Sequence, residues 1–263
     1  MAHYKATIEY DGTEFHGFQR QLQARTVQGV LEDVLSTLNG GTRISLRGAG
    51  RTDSGVHAVG QVIDFQLPYR GDEVALQRAL NAMLPQDVAV REISRAPKEF
   101  HPRYDALSRV YIYSLLNTPI RQPLYYRQTL QERHPLNELA MDEALKRLQG
   151  QHDFASFGRP TSPSGRTTRI MLATRVWREG ELIRIKVEAN GFLYRMVRSI
   201  VGTLLVIGRG QKAPAWIDSV LAARHRGAAP QVVRPTGLCL VAVRYPEPLG
   251  RGFGAPTEEK SKQ

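Results

Sequence analysis

One aspartate in this sequence is placed where its carboxylate could do chemistry. Asp53 lies within residues 47–58 (RGAGRTDSGVHA), between glycines and arginines. The glycines allow a ligand to approach the backbone closely, and Arg51 would favour the ionised carboxylate and offer a planar fork to phosphate. A carboxylate there can act as a nucleophile or as a general base, and the sequence leaves both open. We predict Asp53 to be catalytic; the alternative is that it only caps its own loop in an Asx turn.

Other chemistries fit this segment less well. Asp53-Ser54-Gly55 matches the short signature of aspartic proteases, but these enzymes need two such carboxylates and the chain has no second Asp-Ser/Thr-Gly. A triad of Ser54, His57 and Asp53 is excluded, because residues so close in one loop rarely align for catalysis. The histidines show neither helical i, i+4 spacing nor neighbouring cysteines. We therefore expect no metal and no cofactor.

Two short strands, 44–47 and 61–65, are predicted to hold the Asp53 segment. The chain before and after them has the same kind of organisation: strand periodicity over 4–10 and 88–93, and helical periodicity over 27–38 and from Asp72. Thr26 and Asp72 are suitable N-caps for the two helices. Residues 1–104 therefore read as a β-α-β-β-α-β half.

A second series of elements follows over residues 105–246. Its predicted strands are 109–115, 170–177, 182–187 and 238–245, and its predicted helices are 136–148, 192–207 and 216–221. Two such patterns predict an α+β fold of two ferredoxin-like halves, whose sheets could lie side by side and leave a cleft. The polar tail, 247–263, is expected to be disordered.

Two further residues have the right type and setting for a site. Tyr111 shares one face of its strand with Arg109, which suits base stacking with a hydroxyl available for proton transfer; a buried core tyrosine is the alternative. Arg198 shares a helical stripe with Gly191, Arg195 and Gly202, which leaves a face where another chain or an acid could dock. The alternative for Arg198 is a solvated helical arginine.

The overall charge indicates a polyanionic partner. The chain has 36 Lys and Arg against 25 Asp and Glu, a formal charge of +11, and 29 of the basic residues are arginine. A single cysteine excludes an internal disulfide and is typical of a reducing compartment. The most apolar run, 200–207, is shorter than the about 20 residues that cross a bilayer, and no secretory signal is visible. These features predict a cytoplasmic protein with no membrane segment.

Residues 50–58 (GRTDSGVHA) resemble the catalytic loop of the tRNA pseudouridine synthase A family. The resemblance implies a mixed sheet of two halves around a central basic cleft. It also implies roles for three further residues. Arg109-Val110-Tyr111 aligns with the strand whose tyrosine stacks on the target uracil, and residues 196–202 (MVRSIVG) align with the helix whose arginine, here Arg198, pairs with the catalytic aspartate. Arg51 would hold the phosphate of the flipped nucleotide.

The same resemblance implies an activity and partners. The family isomerises uridine to pseudouridine at positions 38 to 40 of the tRNA anticodon stem-loop, after base flipping, without a cofactor and as a homodimer. An isomerisation at carbon and nitrogen needs no redox step, which agrees with the residues present. The principal alternative is a non-catalytic RNA-binding protein, but the chain lacks the aromatic strand typical of such paired sheets. A protease is the second alternative.

Overall fold

The computed structural model describes residues 1–160 and 165–246. The strands in the described residues are β1 (Ala2–Tyr10), β2 (Leu46–Gly48), β3 (His57–Leu67), β4 (Val88–Arg95), β5 (Ser108–Asn117), β6 (Leu130–Glu132), β7 (Gly150–Asp153), β8 (Thr168–Glu179), β9 (Leu182–Ala189) and β10 (Leu238–Arg244). The α-helices there are α1 (Val27–Leu38), α2 (Glu73–Met83), α3 (Glu138–Lys146), α4 (Met196–Gly208) and α5 (Trp216–Ala223). The tail predicted to be disordered, 247–263, lies outside the described residues.

The strands form one mixed sheet. Its order is β4-β1-β3-β10-β5-β9-β8-β7, with β2 paired to β3 and β6 paired to β5. Within it, β4-β1-β3-β2 and β10-β5-β9-β8 are each antiparallel throughout and have the strand order of a ferredoxin-like unit. The predicted α+β class, with two ferredoxin-like halves in one mixed sheet, is confirmed.

The two halves meet where β10 runs parallel to the first residues of β3. Cys239 pairs with His57, and Leu240 pairs with Ala58. On its other side β10 is antiparallel to β5, with Leu240 opposite Tyr111. Because neighbouring strands lie about 4.8 Å apart, Ala58 and Tyr111 are held roughly 10 Å from each other across β10. The loop between β2 and β3 therefore ends at the join between the halves.

Local sequence signals start the first two helices as predicted. The side chains of Thr26 and Asp72 each accept a hydrogen bond from the backbone N–H three residues further on, which caps α1 and α2. Gly180 adopts a φ of 60° at the predicted turn between β8 and β9. Buried apolar side chains of both halves form one contiguous core cluster that extends from Tyr4 in β1 to Leu240 in β10. The sheet and its helices thus share one core.

Helix α4 begins four residues later than its apolar spacing predicts. Tyr194 forms an isolated β-bridge with Arg159, and Arg195 has a left-handed φ of 62°, so the backbone is not helical before residue 196. The predicted stripe on one helical face was therefore wrong for Gly191 and Arg195. Only Arg198 and Gly202 of that stripe lie in the helix.

Short elements and element ends account for the other differences. Strands β6 and β7, of three and four residues, are too short for their periodicity to be recognised. Strand β3 begins at His57 rather than at residue 61, because pairing with β10 and β1 extends it towards the Asp53 loop. In the part of the chain that the structure describes, no helix has the length and apolar character needed to cross a membrane.

Candidate active site

The loop between β2 and β3 is fastened to the structure through residues that precede Asp53. Thr52 Oγ1 lies 2.8 Å from the hydroxyl of Tyr10 in β1, and the Thr52 carbonyl accepts a hydrogen bond from the Phe18 N–H at 3.1 Å. Further along β3, the Gln61 side-chain amide donates to the Gly50 carbonyl at 2.8 Å. The loop is therefore held by three separate parts of the first half, and Asp53 has a fixed position.

Two glycines allow this loop to pack. Gly55 has a φ of 76°, which other residues rarely adopt. A Cβ on Gly48 would lie 2.5 Å from the ring of Phe18, so a side chain there would displace the loop. Around Gly50, by contrast, no atom lies within 4 Å of the position of a Cβ, and the space beside the loop is open. The predicted access of a ligand to this backbone is consistent with that space.

Asp53 forms an ion pair with Arg198 across the two halves. The guanidinium Nη1 of Arg198 donates to a carboxylate oxygen of Asp53 at 2.9 Å. The side chains are 22% exposed for Asp53 and 11% exposed for Arg198, so the pair is largely removed from solvent. No hydrogen bond within the described residues links the Asp53 carboxylate to the backbone of its own loop, which weighs against the Asx-turn alternative.

Arg198 is itself oriented by the segment 231–237. Its Nε donates to the Val233 carbonyl at 2.8 Å. The same segment contacts the Asp53 loop: the His57 Nε2–H donates to the Thr236 carbonyl at 3.2 Å, and the ring of Pro235 packs against Gly55. Segment 231–237 therefore contacts Arg198 directly, and it contacts Gly55 and His57, which follow Asp53 in the chain.

Tyr111 lies in β5, two strands from β3, and lines the same cleft. Its side chain is 8% exposed, and its ring meets the ring of Phe192 edge to face, with centroids 5.1 Å apart. Burial raises the pKa of the Tyr111 hydroxyl, and the nearby Asp53 charge raises it further against the effect of Arg109. The hydroxyl is therefore protonated at neutral pH. To accept a proton from a substrate, it would have to release its own proton at the same time.

Arg51 is exposed and also lines the cleft. Among the described residues, its guanidinium has no hydrogen bond or ion pair, so it is free to bind an anion. The cleft has a volume of about 1360 Å³, and its lining includes eight arginines and one carboxylate, that of Asp53. The arginines are Arg47, Arg51, Arg103, Arg109, Arg159, Arg169, Arg195 and Arg198. The predicted basic cleft is present, and it contains all four predicted site residues.

The histidines of the loops do not come together as metal ligands. Among the described residues, no group of three or more His, Cys, Asp or Glu side chains could hold a metal ion. His57, at the end of the Asp53 loop, accepts a hydrogen bond from the Gly12 N–H at its Nδ1 and donates from Nε2. His57 thus connects the two halves, because Gly12 lies in the first half and Thr236 in the second.

The sequence did not reveal the partners that hold the site. Tyr10 and Gln61 lie in strands whose alternation indicated only a core, and the carbonyl of Val233 is a backbone group with no sequence signature. Tyr10 was detectable in principle as a polar hydroxyl on a buried strand face, since such hydroxyls need a partner. The partner itself, Thr52, could not be deduced.

Known proteins resemble this chain over both halves. A family model described as tRNA pseudouridine synthase matches residues 6–105 and 144–246. Proteins described as tRNA pseudouridine synthase A from two strains of Streptococcus pneumoniae, serotype 19F strain G54 and strain 70585, are 41% identical over 249 residues, which covers 94% of this chain and 100% of theirs. A chain in the crystal structure of a Cbf5-Nop10-Gar1 complex is similar with 14% identity and a TM-score of 0.29, over 77% of this chain and 54% of that one. This last likeness is too distant to carry an argument.

A carboxylate in an arginine-lined cleft, in an α+β fold of two paired halves, is typical of an enzyme that acts on a polyanion. The chain belongs to the tRNA pseudouridine synthase A family, isomerases that convert uridine to pseudouridine in tRNA. This assignment confirms the predicted family and enzyme class. It decides against the non-catalytic RNA-binding protein and against the protease.

Proposed function

We propose that this enzyme isomerises uridines at positions 38 to 40 of the tRNA anticodon stem-loop, with Asp53 as the catalytic carboxylate. The observation that supports this most directly is the Asp53–Arg198 pair, with its 2.9 Å contact in a cleft that Tyr111 also lines. The choice of the anticodon stem-loop rests on the resemblance of residues 50–58 to the family's catalytic loop. The cleft supports an RNA substrate through its charge.

The reaction moves the ribose C1′ from N1 of the uracil to C5. The N1–C1′ bond breaks and a C5–C1′ bond forms, while C5 loses a proton and N1 gains one, so no oxidant or reductant is needed. Asp53 would start the reaction as the nucleophile or as the base that gives a glycal. Arg198 would hold the carboxylate in a defined direction, because its Nη1 donates a hydrogen bond to it at 2.9 Å.

The target base must leave its stack before it can reach Asp53. Flipping costs a few kcal/mol, which contacts to the RNA backbone must offset. We assign this task to Arg51, whose guanidinium is exposed at the cleft, through the phosphate of the flipped nucleotide. Tyr111 would stack on the uracil from the sheet and is the candidate that takes the C5 proton.

The wider organisation of the enzyme is proposed on the family resemblance. Residues 1–104 and 105–246 would be its two structural units, and the enzyme would act as a cytoplasmic homodimer. Sedimentation of the purified protein with and without tRNA would test the dimer, and a monomer in both samples would contradict it. Fractionation of cells would test the compartment.

The decisive experiment compares wild type with Asp53→Asn on tRNA that carries tritium at C5 of uridine. Wild type should release tritium, whereas Asp53→Asn should release none at a detection limit of about 10⁴-fold below wild type, with a tRNA Kd within roughly threefold of the wild-type value. Binding is retained because the substitution keeps the shape of the side chain. Mapping of the modified uridines on the wild-type product then tests positions 38 to 40. Turnover by Asp53→Asn would contradict the catalytic assignment.

A further inference from the structure

Four side chains at the start of α4 have no part in the chemistry described above. Arg159 and Tyr194 are joined by the isolated bridge, with the Tyr194 N–H donating to the Arg159 carbonyl at 2.9 Å. The guanidinium carbon of Arg195 lies 4.8 Å from the centre of the Tyr194 ring, and Arg226 packs against α4 from the segment after α5. Arg159, Tyr194 and Arg195 line the cleft, and Tyr194 is 42% exposed. We refer to these four residues as the α4 cluster.

The positive charge of the α4 cluster is not neutralised. Arg226 donates to two uncharged oxygens, the Ser156 carbonyl at 2.8 Å and Ser199 Oγ at 3.0 Å. Among the described residues, no carboxylate forms an ion pair with any of its three arginines. Burial lowers the pKa of Arg226, and the charges of Arg159 and Arg195 lower it further. Like charges held together without counter-charge are typical of an anion site.

The backbone of Arg195 is strained. Its φ of 62° and ψ of 13° are left-handed, a conformation that glycine adopts without cost and other residues adopt at a cost. In the described residues, the other non-glycine residue with a positive φ is Arg224, with a φ of 52° at the exposed C-terminus of α5. Strain at a residue that lines a site points to a function for its side chain.

We infer that the α4 cluster is a second RNA-binding subsite, which takes the base and the phosphodiester of a nucleotide next to the target uridine. Arg195 precedes Arg198 by three residues, and both line the cleft that contains Asp53. The Tyr194 ring and the Arg195 guanidinium offer a stacking surface for a base. The forks of the arginines suit the phosphate.

The size of the cleft supports a second nucleotide. Its volume of about 1360 Å³ exceeds the roughly 300–1000 Å³ typical of a site for one small ligand. Helix α4 also begins without a side-chain cap, so its dipole adds to the positive potential at the cluster. The inference rests on the proposed function, since it assigns a subsite to the same RNA.

The test compares Arg195→Gly with Arg224→Gly in the full-length protein. Both changes remove an arginine and a left-handed strain, so both variants should unfold at a temperature no lower than wild type. Only Arg195→Gly should raise the KM for tRNA, by about 5- to 10-fold with kcat held within about twofold. Its slope of log binding constant against log salt should fall by about one, whereas Arg224→Gly should keep the wild-type slope.

A second pair of variants isolates the stacking contact. Tyr194→Phe should keep the wild-type KM, whereas Tyr194→Ala should raise it by about tenfold, because base stacking needs the ring and not the hydroxyl. A wild-type salt slope and KM in Arg195→Gly, or equal effects of the two glycine variants, would overturn the subsite. If wild type itself released no tritium, the proposed function would fail, and the salt slopes would still decide whether the cluster binds RNA.

Discussion

At the scale of single residues, the site combines a carboxylate that is paired with an arginine and a phenol whose pKa is raised by burial. Asp53 has Arg198 within hydrogen-bonding distance, and Tyr111 is buried two strands away with a raised pKa. The two groups therefore have different surroundings in one cleft, with a guanidinium beside the carboxylate and burial around the phenol. Because the hydroxyl is already protonated, it could accept the proton from C5 of the uracil only if it released its own proton at the same time.

Replacement of Tyr111 by phenylalanine separates stacking from proton transfer. The ring remains and should still stack on uracil, so tRNA affinity should stay within about threefold of wild type. Tritium release should fall by about 10²-fold or more, the usual contribution of a general acid or base. Single-turnover tritium release measures this directly. If Tyr111→Phe released tritium at the wild-type rate, the role of Tyr111 would be limited to stacking on the uracil.

The sequence identified the charged and aromatic residues of the site, but it did not identify the residues whose hydrogen bonds position them. Asp53, Arg198 and Tyr111 were found because their motifs resemble a known family, and the structure places all three at one cleft. Their roles remain predictions. The backbone conformation of Arg195 had no signal, since an arginine gives no indication of a positive φ.

At the scale of elements, segment 231–237 orients the side chain of Arg198 through a hydrogen bond to the Val233 carbonyl. Gly202, one turn after Arg198 on α4, allows the segment to approach: a Cβ there would lie 2.4 Å from the Gln231 carbonyl oxygen. Such a distance is impossible without movement of the segment. The Val233 carbonyl that accepts from Arg198 Nε would move with it.

We therefore expect Gly202→Ala to impair catalysis more than binding. Loss of the contact from Val233 would leave Arg198 misdirected, and kcat should fall by about 10-fold or more while the tRNA Kd changes by less than about threefold. Steady-state kinetics give kcat, and filter binding on the same preparation gives the tRNA Kd. Thermal unfolding serves as the control, because a large loss of stability would make the kinetic result uninformative. Wild-type kcat with unchanged stability would contradict the proposed role of the segment.

Element boundaries were predictable where periodicity and caps agreed. Thr26 and Asp72 fix the starts of α1 and α2, but the apolar spacing through Leu193 extended α4 too far, because the bridge of Tyr194 to Arg159 overrides helical propensity there. A backbone pair between residues 35 positions apart is a tertiary contact. Single-sequence patterns do not contain it.

At the scale of the whole molecule, an ion pair with a buried carboxylate connects the sheet to α4. Glu132 in β6 bonds to Arg209 at the C-terminus of α4 and to His134 at 2.9 Å. Burial alone would raise the pKa of Glu132, but the hydrogen bonds from Arg209 and His134 lower it below its ordinary value. A carboxylate with a depressed folded-state pKa stabilises the protein above its unfolded pKa of about 4.3, and this stability is lost as the pH falls through the folded value.

Glu132→Gln should consequently lower the unfolding free energy at pH 7 by about 1 to 3 kcal/mol. The difference between the variant and wild type should shrink as the pH falls from about 4.3, where the carboxyl of the unfolded chain is protonated, through the lower pKa of the folded state. Urea denaturation at several pH values from 3 to 7 measures this. Glu143→Gln, at an exposed carboxylate paired with Arg147 along α3, is a control that should change stability by less than about 0.5 kcal/mol. A difference that is constant with pH would contradict the role of the Glu132 charge.

The joining of the two halves was the part of the architecture that patterns could not supply. The α+β class followed from two repeated orders of elements, but the pairing of β10 with β3 involves residues about 180 positions apart and only two registered pairs. Contacts of that sequence separation leave no local trace. The resemblance implied a joined sheet, and the structure gives its register.

The pairing of β10 with β3 also sets an order of events during protein synthesis. The carboxylate of Asp53 leaves the ribosome early, whereas the strand that joins the halves follows all other described strands in the chain. Arg198, Tyr111 and segment 231–237 all lie in the later half. A nascent chain therefore carries the proposed catalytic carboxylate without Arg198 and Tyr111, and the cleft is complete only when translation has passed the last described strand. We therefore expect the enzyme to become active only after β10 has been synthesised and has paired with β3.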